Sequence, residues 1–231
     1  MRPINIWLLS IISLCLTTSC VNELDNYKTP NGGIHGTIVD IETKEPVPLP
    51  VQGSTGVILK MMEKGTEATK SVDFYAKQDG TFDNDRVFDC DYLIKVEGPF
   101  TAPAEVKATI SGQTEVNIPV MPYARIEASA SVSGKTVSLQ YQVKKTKDSY
   151  KVSEVYGYWN FAPGVDDGGA NRAGRVTVND LSGTISIDLG KEQAFLDNLY
   201  KIQSNENKIY VRIGAKTEGV INYSQVLVVT L

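Results

Sequence analysis

From Ile34 onward, apolar and polar side chains alternate with a period of two, in short runs broken by Gly, Pro, Asn and Asp. That period places successive side chains on opposite faces of an extended chain, so the pattern predicts β-strands almost throughout. Strands are expected at 34–40, 56–62, 71–76, 81–84, 92–97, 104–110 and 114–120, then at 124–130, 136–143, 152–161, 183–189, 208–215 and 222–231. Val137, Leu139, Tyr141 and Val143 point one way, and Ser138, Gln140 and Gln142 the other. Ile209, Val211, Ile213 and Ala215 line one face. Asp79-Gly80 and Ser111-Gly112 are turn signals between strands. One stretch departs from the period: Phe195, Leu199 and Ile202 fall at i, i+4 and i+7, which predicts one or two helical turns within 191–202. Segment 222–231 is apolar on both faces, as expected of a central, buried strand.

Pro122 interrupts the ladder in VMPY, and alternation restarts at once. The chain is therefore expected to be all-β, with two tandem β-sandwiches at 34–122 and 123–231. Residues 20–33 are polar, carry Pro30 and two glycines, and read as a tether. Residues 1–19 read as a signal peptide: Arg2, an apolar run from Ile4 to Leu16, then Thr17, Thr18 and Ser19. The run is too short for a membrane span. Cys20 after small residues looks like a lipoprotein cleavage site, so Cys20 is expected to become the lipidated N-terminus and the sole membrane anchor.

Composition is that of a globular protein, with 42% hydrophobic and 22% charged residues. The net charge of −4 offers no basic surplus to neutralise phosphates, which argues against nucleic-acid partners. Once Cys15 leaves with the leader and Cys20 is acylated, Cys90 is alone and cannot form an internal disulfide. It is expected to be a small buried residue. With one His, no nucleophile motif, no HExxH and no phosphate loop, no enzyme activity and no cofactor are expected.

Two regions carry candidate chemistry. Asp79, Asp83, Asp85, Asp89 and Asp91 crowd together but lack the spacing of a calcium loop, and read as acidic turns. No metal site is assigned. The long loop 162–175 holds Asp166, Asp167, two glycines, Asn171, Arg172 and Arg175. Its acids and amides suit a calcium loop, a site for sugar hydroxyls, or a solvated connection. Just before it, Tyr156, Tyr158, Trp159 and Phe161 form the densest aromatic cluster. Trp159 shares a face with Val155 and is assigned to the core. Tyr156 and Tyr158 take the opposite face and are expected to meet solvent. There they could stack on a sugar ring while Asp166, Asp167 or Asn171 binds its hydroxyls.

Gly36-Thr37-Ile38-Val39-Asp40, Thr43 and Glu45-Pro46-Val47-Pro48, followed by Asp79-Gly80-Thr81-Phe82, Val87-Phe88 and Tyr92–Val96, resemble carboxypeptidase-regulatory-like, transthyretin-like sandwich domains. Cys90 stands where that family has a glycine. The second block resembles immunoglobulin or fibronectin III sandwiches. The whole layout resembles a family of two-sandwich surface lipoproteins from Bacteroidota, encoded beside SusC/SusD-type glycan importers. The features that carry this are the leader, Asn26-Tyr27 in the tether, Pro122-Tyr123 at the boundary, and YVRIGAKTEG…NYSQV near the end. The resemblance implies an outer-membrane location facing the cell exterior. It also implies an accessory role in glycan uptake, through binding polysaccharide or scaffolding the importer. It supplies no binding residues. The alternative is a structural or adhesive surface subunit of fimbrial type. Such subunits are cut after an Arg downstream of the lipid Cys, and the first Arg here, Arg86, falls inside a strand-rich domain.

Overall fold

The computed structural model describes residues 29–231; the leader, Cys20 and nearly all of the tether lie outside the described residues. The chain is all-β, as its alternation predicts, and its strands form two sandwiches. The first uses β1 (Gly32–Asp40), β2 (Ile58–Lys64), β3 (Val72–Tyr75), β4 (Thr81–Val87), β5 (Asp91–Glu97), β6 (Ala104–Thr109), β7 (Gln113–Glu115) and β8 (Ile118–Val120). One sheet centres on β1, with β4 on one side and β7 and β8 on the other; the second runs β3-β2-β5-β6. Between them lie Ile34, Ile38, Leu59, Met61, Phe82, Ile94, Ile110 and Ile118, all buried. Cys90 packs half-buried against this core, and burial pushes its thiol pKa up.

The second sandwich uses β9 (Ala124–Ser133), β10 (Thr136–Lys145), β11 (Val152–Asn160), β12 (Gly174–Val178), β13 (Ser182–Asp188), β14 (Lys208–Thr217), β15 (Val220–Tyr223) and β16 (Leu227–Thr230). A three-stranded sheet, β13-β10-β9, faces a five-stranded one, β12-β11-β14 with β15 and β16 both on β14. Val137, Leu139, Ile185, Ile187, Ile209, Val211 and Ile213 fill the space between them. Two short helices, α1 (Gln193–Asp197) and α2 (Leu199–Ser204), bury Phe195 and Ile202 against that core.

Three elements differ from the sequence expectation. Segment 114–120 is two strands, because β7 pairs with β1 at Gly33–His35 and β8 at Ile38–Asp40. The break rests on Gly36, where any Cβ would collide with the Val116 carbonyl oxygen. Strand β12 lies partly within the stretch read as loop. Its run, GRVTV, is too short for alternation to register, and it forms only by pairing with β11. Segment 222–231 is not one central strand. β15 and β16 lie end to end along the edge of β14, pairing with Gly214–Thr217 and Lys208–Val211, and Val228 is exposed.

Candidate functional site

Alternation on β11 sends Val155 and Trp159 into the sandwich and Glu154, Tyr156 and Tyr158 out of it. Trp159 is fully buried and meets the Phe195 ring edge-on at 6.3 Å. Tyr156 and Tyr158 leave the sandwich as expected, but they do not reach solvent: Tyr156 is 3% and Tyr158 0% exposed. The outer face of the five-stranded sheet is covered by the 161–173 loop and by parts of the first sandwich around Val51, Gln78 and Pro99. A third apolar cluster forms there from Tyr156, Tyr158, Val165 and Tyr223. Gly214 makes room for it, since a Cβ there would sit 2.8 Å from Tyr158 Cε2 and 3.3 Å from Tyr223 Cδ1. The Tyr158 and Tyr223 rings approach to 6.2 Å, and Tyr156 and Tyr158 to 5.7 Å.

Burial of these phenols raises their pKa values. Tyr156 is pushed up to about 12 by desolvation and by its hydrogen bond to Glu154. Tyr158 and Tyr223 are pushed higher still, chiefly by burial. Both stay protonated, so the Tyr158 hydroxyl donates to Asp167 Oδ1 at 3.2 Å.

The two aspartates of the loop differ sharply. Asp166 is wholly buried. Its Oδ2 accepts from Val51 N (2.9 Å) and Thr55 Oγ1 (3.1 Å) in the first sandwich. Its Oδ1 accepts from Gly168 N (2.7 Å) and Asn171 Nδ2 (2.9 Å) in its own loop. Four donors fill the carboxylate, so Asp166 is not available to a ligand, and together with Asn171, whose Nδ2 it accepts from, it holds the loop to the first sandwich. The calcium reading of this loop fails for the same reason. Among the described residues, no three His, Cys, Asp or Glu side chains are placed to hold a metal ion. The acidic run of the first sandwich is likewise spent locally: Asp79 caps its turn at Thr81, Asp83 pairs with Lys77, and Asp89 accepts from Gly112 N.

Arg212, unnoticed in the sequence reading, is fully buried under this layer. Its guanidinium lies 4.6 Å from the Tyr223 ring centre and donates to the carbonyls of Ser224 (2.7 Å), Val165 (2.9 Å) and Gln78 (3.4 Å). Desolvation lowers its pKa to about 10, and nearby Tyr223 and Asp166 oppose that shift. The sequence does carry a trace of it, a lone Arg in the apolar run YVRIGA. Gln78 adds a bond to the Pro163 carbonyl (2.8 Å), and Asn222 one to the Pro99 carbonyl (2.8 Å). Buried polar groups thus pin the two sandwiches together.

Of the proposed ligand residues, Asp167 and Asn171 are half-exposed, and of these two Asp167 alone offers a carboxylate. Its side chain is 32% exposed, Arg175 NH1 donates to Oδ1 at 2.8 Å, and among the described residues nothing donates to Oδ2. It lines a cleft of about 330 Å³ with Pro50, Thr55, Pro99, Ile221 and Tyr223, at the junction of the sandwiches. Apolar walls with one convergent carboxylate suit a small polar ligand with a hydrophobic face. A larger depression of about 590 Å³ lies on the open face of β2-β5-β6, but its rim is exposed Lys64, Glu105 and Lys107.

Comparison with known proteins agrees with this layout. The family model described as the N-terminal domain of a protein of unknown function, DUF3823, matches residues 32–121; the model of the domain of unknown function DUF3823_C matches 123–227. A DUF3823 family protein from Parabacteroides merdae shares the fold, with a TM-score of 0.75 at 22% identity, over 88% of this chain and 100% of that one. A protein from Bacteroides uniformis described as a "putative carbohydrate binding protein" aligns with a TM-score of 0.69 at 24% identity, over 87% of this chain and 100% of that one. A DUF3823 family protein from Bacteroides ovatus gives 0.71 at 20% identity, over 86% of this chain and 98% of that one. No curated protein matches the sequence. Because the two family models tile both sandwiches, the chain belongs to the DUF3823 family, with its first sandwich as the N-terminal and its second as the C-terminal domain.

Proposed function

We propose that the protein is a non-catalytic, saccharide-binding lipoprotein, anchored in the outer membrane through Cys20 and serving a SusC/SusD-type glycan importer from the cell exterior. The observation that carries the binding part is Asp167. Its carboxylate is held by Tyr158 and Arg175 at the wall of an apolar cleft, and one oxygen accepts no bond among the described residues. A sugar would lay its C–H face against Pro99 and Ile221 and donate a hydroxyl to Asp167. Tyr156, Tyr158, Asp166 and Asn171 then act as the frame of the site. The relative from Bacteroides uniformis, described as a "putative carbohydrate binding protein", supports the reading, as does the lipoprotein-like leader. The binding is expected to be weak, because each sugar hydroxyl exchanges one set of hydrogen bonds with water for another.

Affinity electrophoresis of residues 21–231 through gels containing plant and host polysaccharides tests the binding role. At least one polymer should retard the protein, and Val220→Trp, which fills the cleft wall, should abolish retardation without moving the melting temperature. If no polymer retards the wild type, the binding role falls and a scaffolding or fimbrial-type role takes its place. For the anchor, Cys20→Ala should release the protein from membranes, and wild type should incorporate a labelled fatty acid. An unlabelled wild type would end the lipoprotein reading.

A further inference from the structure

We propose that the ligand of this cleft is an acidic saccharide, and that Arg172 and Arg175 hold its carboxylate or sulfate group; this rests on the saccharide reading above and narrows it. Both guanidiniums converge on one carboxylate oxygen, Asp167 Oδ1, with Arg175 NH1 at 2.8 Å and Arg172 NH1 at 3.8 Å. Arg175 is fixed from behind, 4.9 Å from the centre of the Tyr156 ring, and uses one N–H on Asp167. Arg172 forms no side-chain hydrogen bond with any described residue, and its Nε is buried without a partner. Its side chain is still 28% exposed, so part of it is in contact with solvent.

Three other charges nearby are engaged elsewhere, while the Glu192 carboxylate lies on the side of β12 where Gly174 meets Trp159. Asp166 is filled by four donors and sealed from solvent. Arg212 is buried and directed at backbone carbonyls. Glu154 accepts from the Tyr156 hydroxyl and pairs with Lys216 at 3.7 Å. Beside Asp167, the carboxylate that lines the cleft, stand two partly exposed guanidiniums, in a chain whose net charge is −4. A planar guanidinium matches a carboxylate or sulfate through paired N–H donors, which neutral hydroxyls would not require. Asp167 then has two functions: it spaces the two arginines, and its second oxygen takes a neighbouring hydroxyl of the same sugar.

Affinity electrophoresis of residues 21–231 with polygalacturonate, chondroitin sulfate and neutral xyloglucan tests this. An acidic polymer should bind at least about tenfold more tightly than xyloglucan, and tight binding of polygalacturonate, which carries carboxylates and no sulfate, would show that a carboxylate suffices. Arg172→Gln should weaken that binding by about tenfold and flatten its salt dependence. Arg175→Lys keeps the charge and loses the fork, and should fall between the two. Circular dichroism melts should show Arg172→Gln folding as wild type. Xyloglucan binding as tightly as the acidic polymers, or Arg172→Gln binding them as wild type does, would overturn this inference and leave the saccharide reading standing. Failure of all three polymers together with the wider panel would remove both.

Discussion

The second sandwich has two outer faces, written in the same two-residue alternation and put to opposite uses. On β13-β10-β9 the outward positions are small and polar. Ser138 lies between Ser131 and Ser186, and Gln140 between Ser129 and Thr184, in rows that face water. On the five-stranded sheet the equivalent positions are Tyr156, Tyr158, Arg212 and Tyr223, all buried under a loop and the first sandwich. Alternation separates inward from outward, but it does not say which outward face meets solvent. Side-chain size does. A row of tyrosines offers apolar area whose removal from water is worth about 25 cal/mol per Å², whereas serines and glutamines offer little.

The largest expected effect follows from that contrast. Alternation alone would have Tyr158→Ala leave stability unchanged, because the residue points out of its sandwich. Its complete burial predicts a loss of roughly 3–5 kcal/mol, the range for large-to-small changes in a core. Trp159→Ala, one residue on and facing the opposite way, should lose a similar amount. Urea denaturation of both variants compares the two sides of β11 directly. A Tyr158→Ala loss below about 1 kcal/mol would mean that the covering layer is loosely held.

Asp166→Ala attacks the cover instead of the aromatic face. It leaves Val51 N, Gly168 N and the Thr55 and Asn171 side chains without their acceptor, and removes a negative charge near buried Arg212. A loss of about 3 kcal/mol is expected from the unsatisfied buried donors and the loss of the nearby negative charge. It should also uncouple the sandwiches, so that one calorimetric transition becomes two. A single, merely lowered transition would show that Gln78, Asn222 and Arg212 hold the junction without it.

These contrasts mark what the sequence made legible. The inward rows, the placement of Trp159 and the two-sandwich class all follow from local periodicity and turn residues. The fate of Tyr156 and Tyr158 does not, because it depends on Val51, Gln78 and Pro99, segments far off along the chain that carry no trace of their destination. Among the proposed ligand residues, Asp167 keeps an accessible carboxylate, while its neighbour Asp166 is consumed by the junction. Adjacent identical residues cannot be told apart by composition; the direction each side chain takes separates them. Arg212 escaped notice because a buried cation is unusual, and only three carbonyls brought together by folding make it tolerable.

Arg125 lies between the two extremes, on β9 where the second sandwich meets the first. Its Nε and NH2 donate to Asp40 at 2.6 and 2.9 Å, and NH2 also reaches Glu42 at 2.6 Å. Burial pushes the Asp40 carboxyl up, but Arg125 and the backbone N–H groups of Glu42 and Thr43 outweigh it and hold the pKa below its ordinary value. A carboxyl depressed in the folded state adds stability above its unfolded value, about 3.9, and loses it as pH falls through the lower folded value. Arg125→Gln should therefore cost about 2 kcal/mol at pH 6, as charged hydrogen bonds do. The gap from wild type should close in acid, below about pH 4. Denaturation curves at both pH values measure it; a gap that does not change with pH would assign the effect to packing rather than to the ion pair.

The smallest effect belongs to the open face, and it is the strictest check on the comparison. Gln140 is exposed at the centre of its sheet, flanked by Ser129 and Thr184. Gln140→Ala should therefore change stability by less than about 0.5 kcal/mol, the usual range for surface substitutions. Gln140→Lys should do the same, because Lys144 and Glu127 already pair on this face without crowding it. Urea midpoints within error of wild type would confirm that one outer face is solvated while the other is core. A loss of about 2 kcal/mol for either variant, well beyond the surface range, would mean that this face is also covered in solution. A faster sedimentation boundary that disappears on substitution would then identify the cover as a second copy of the chain.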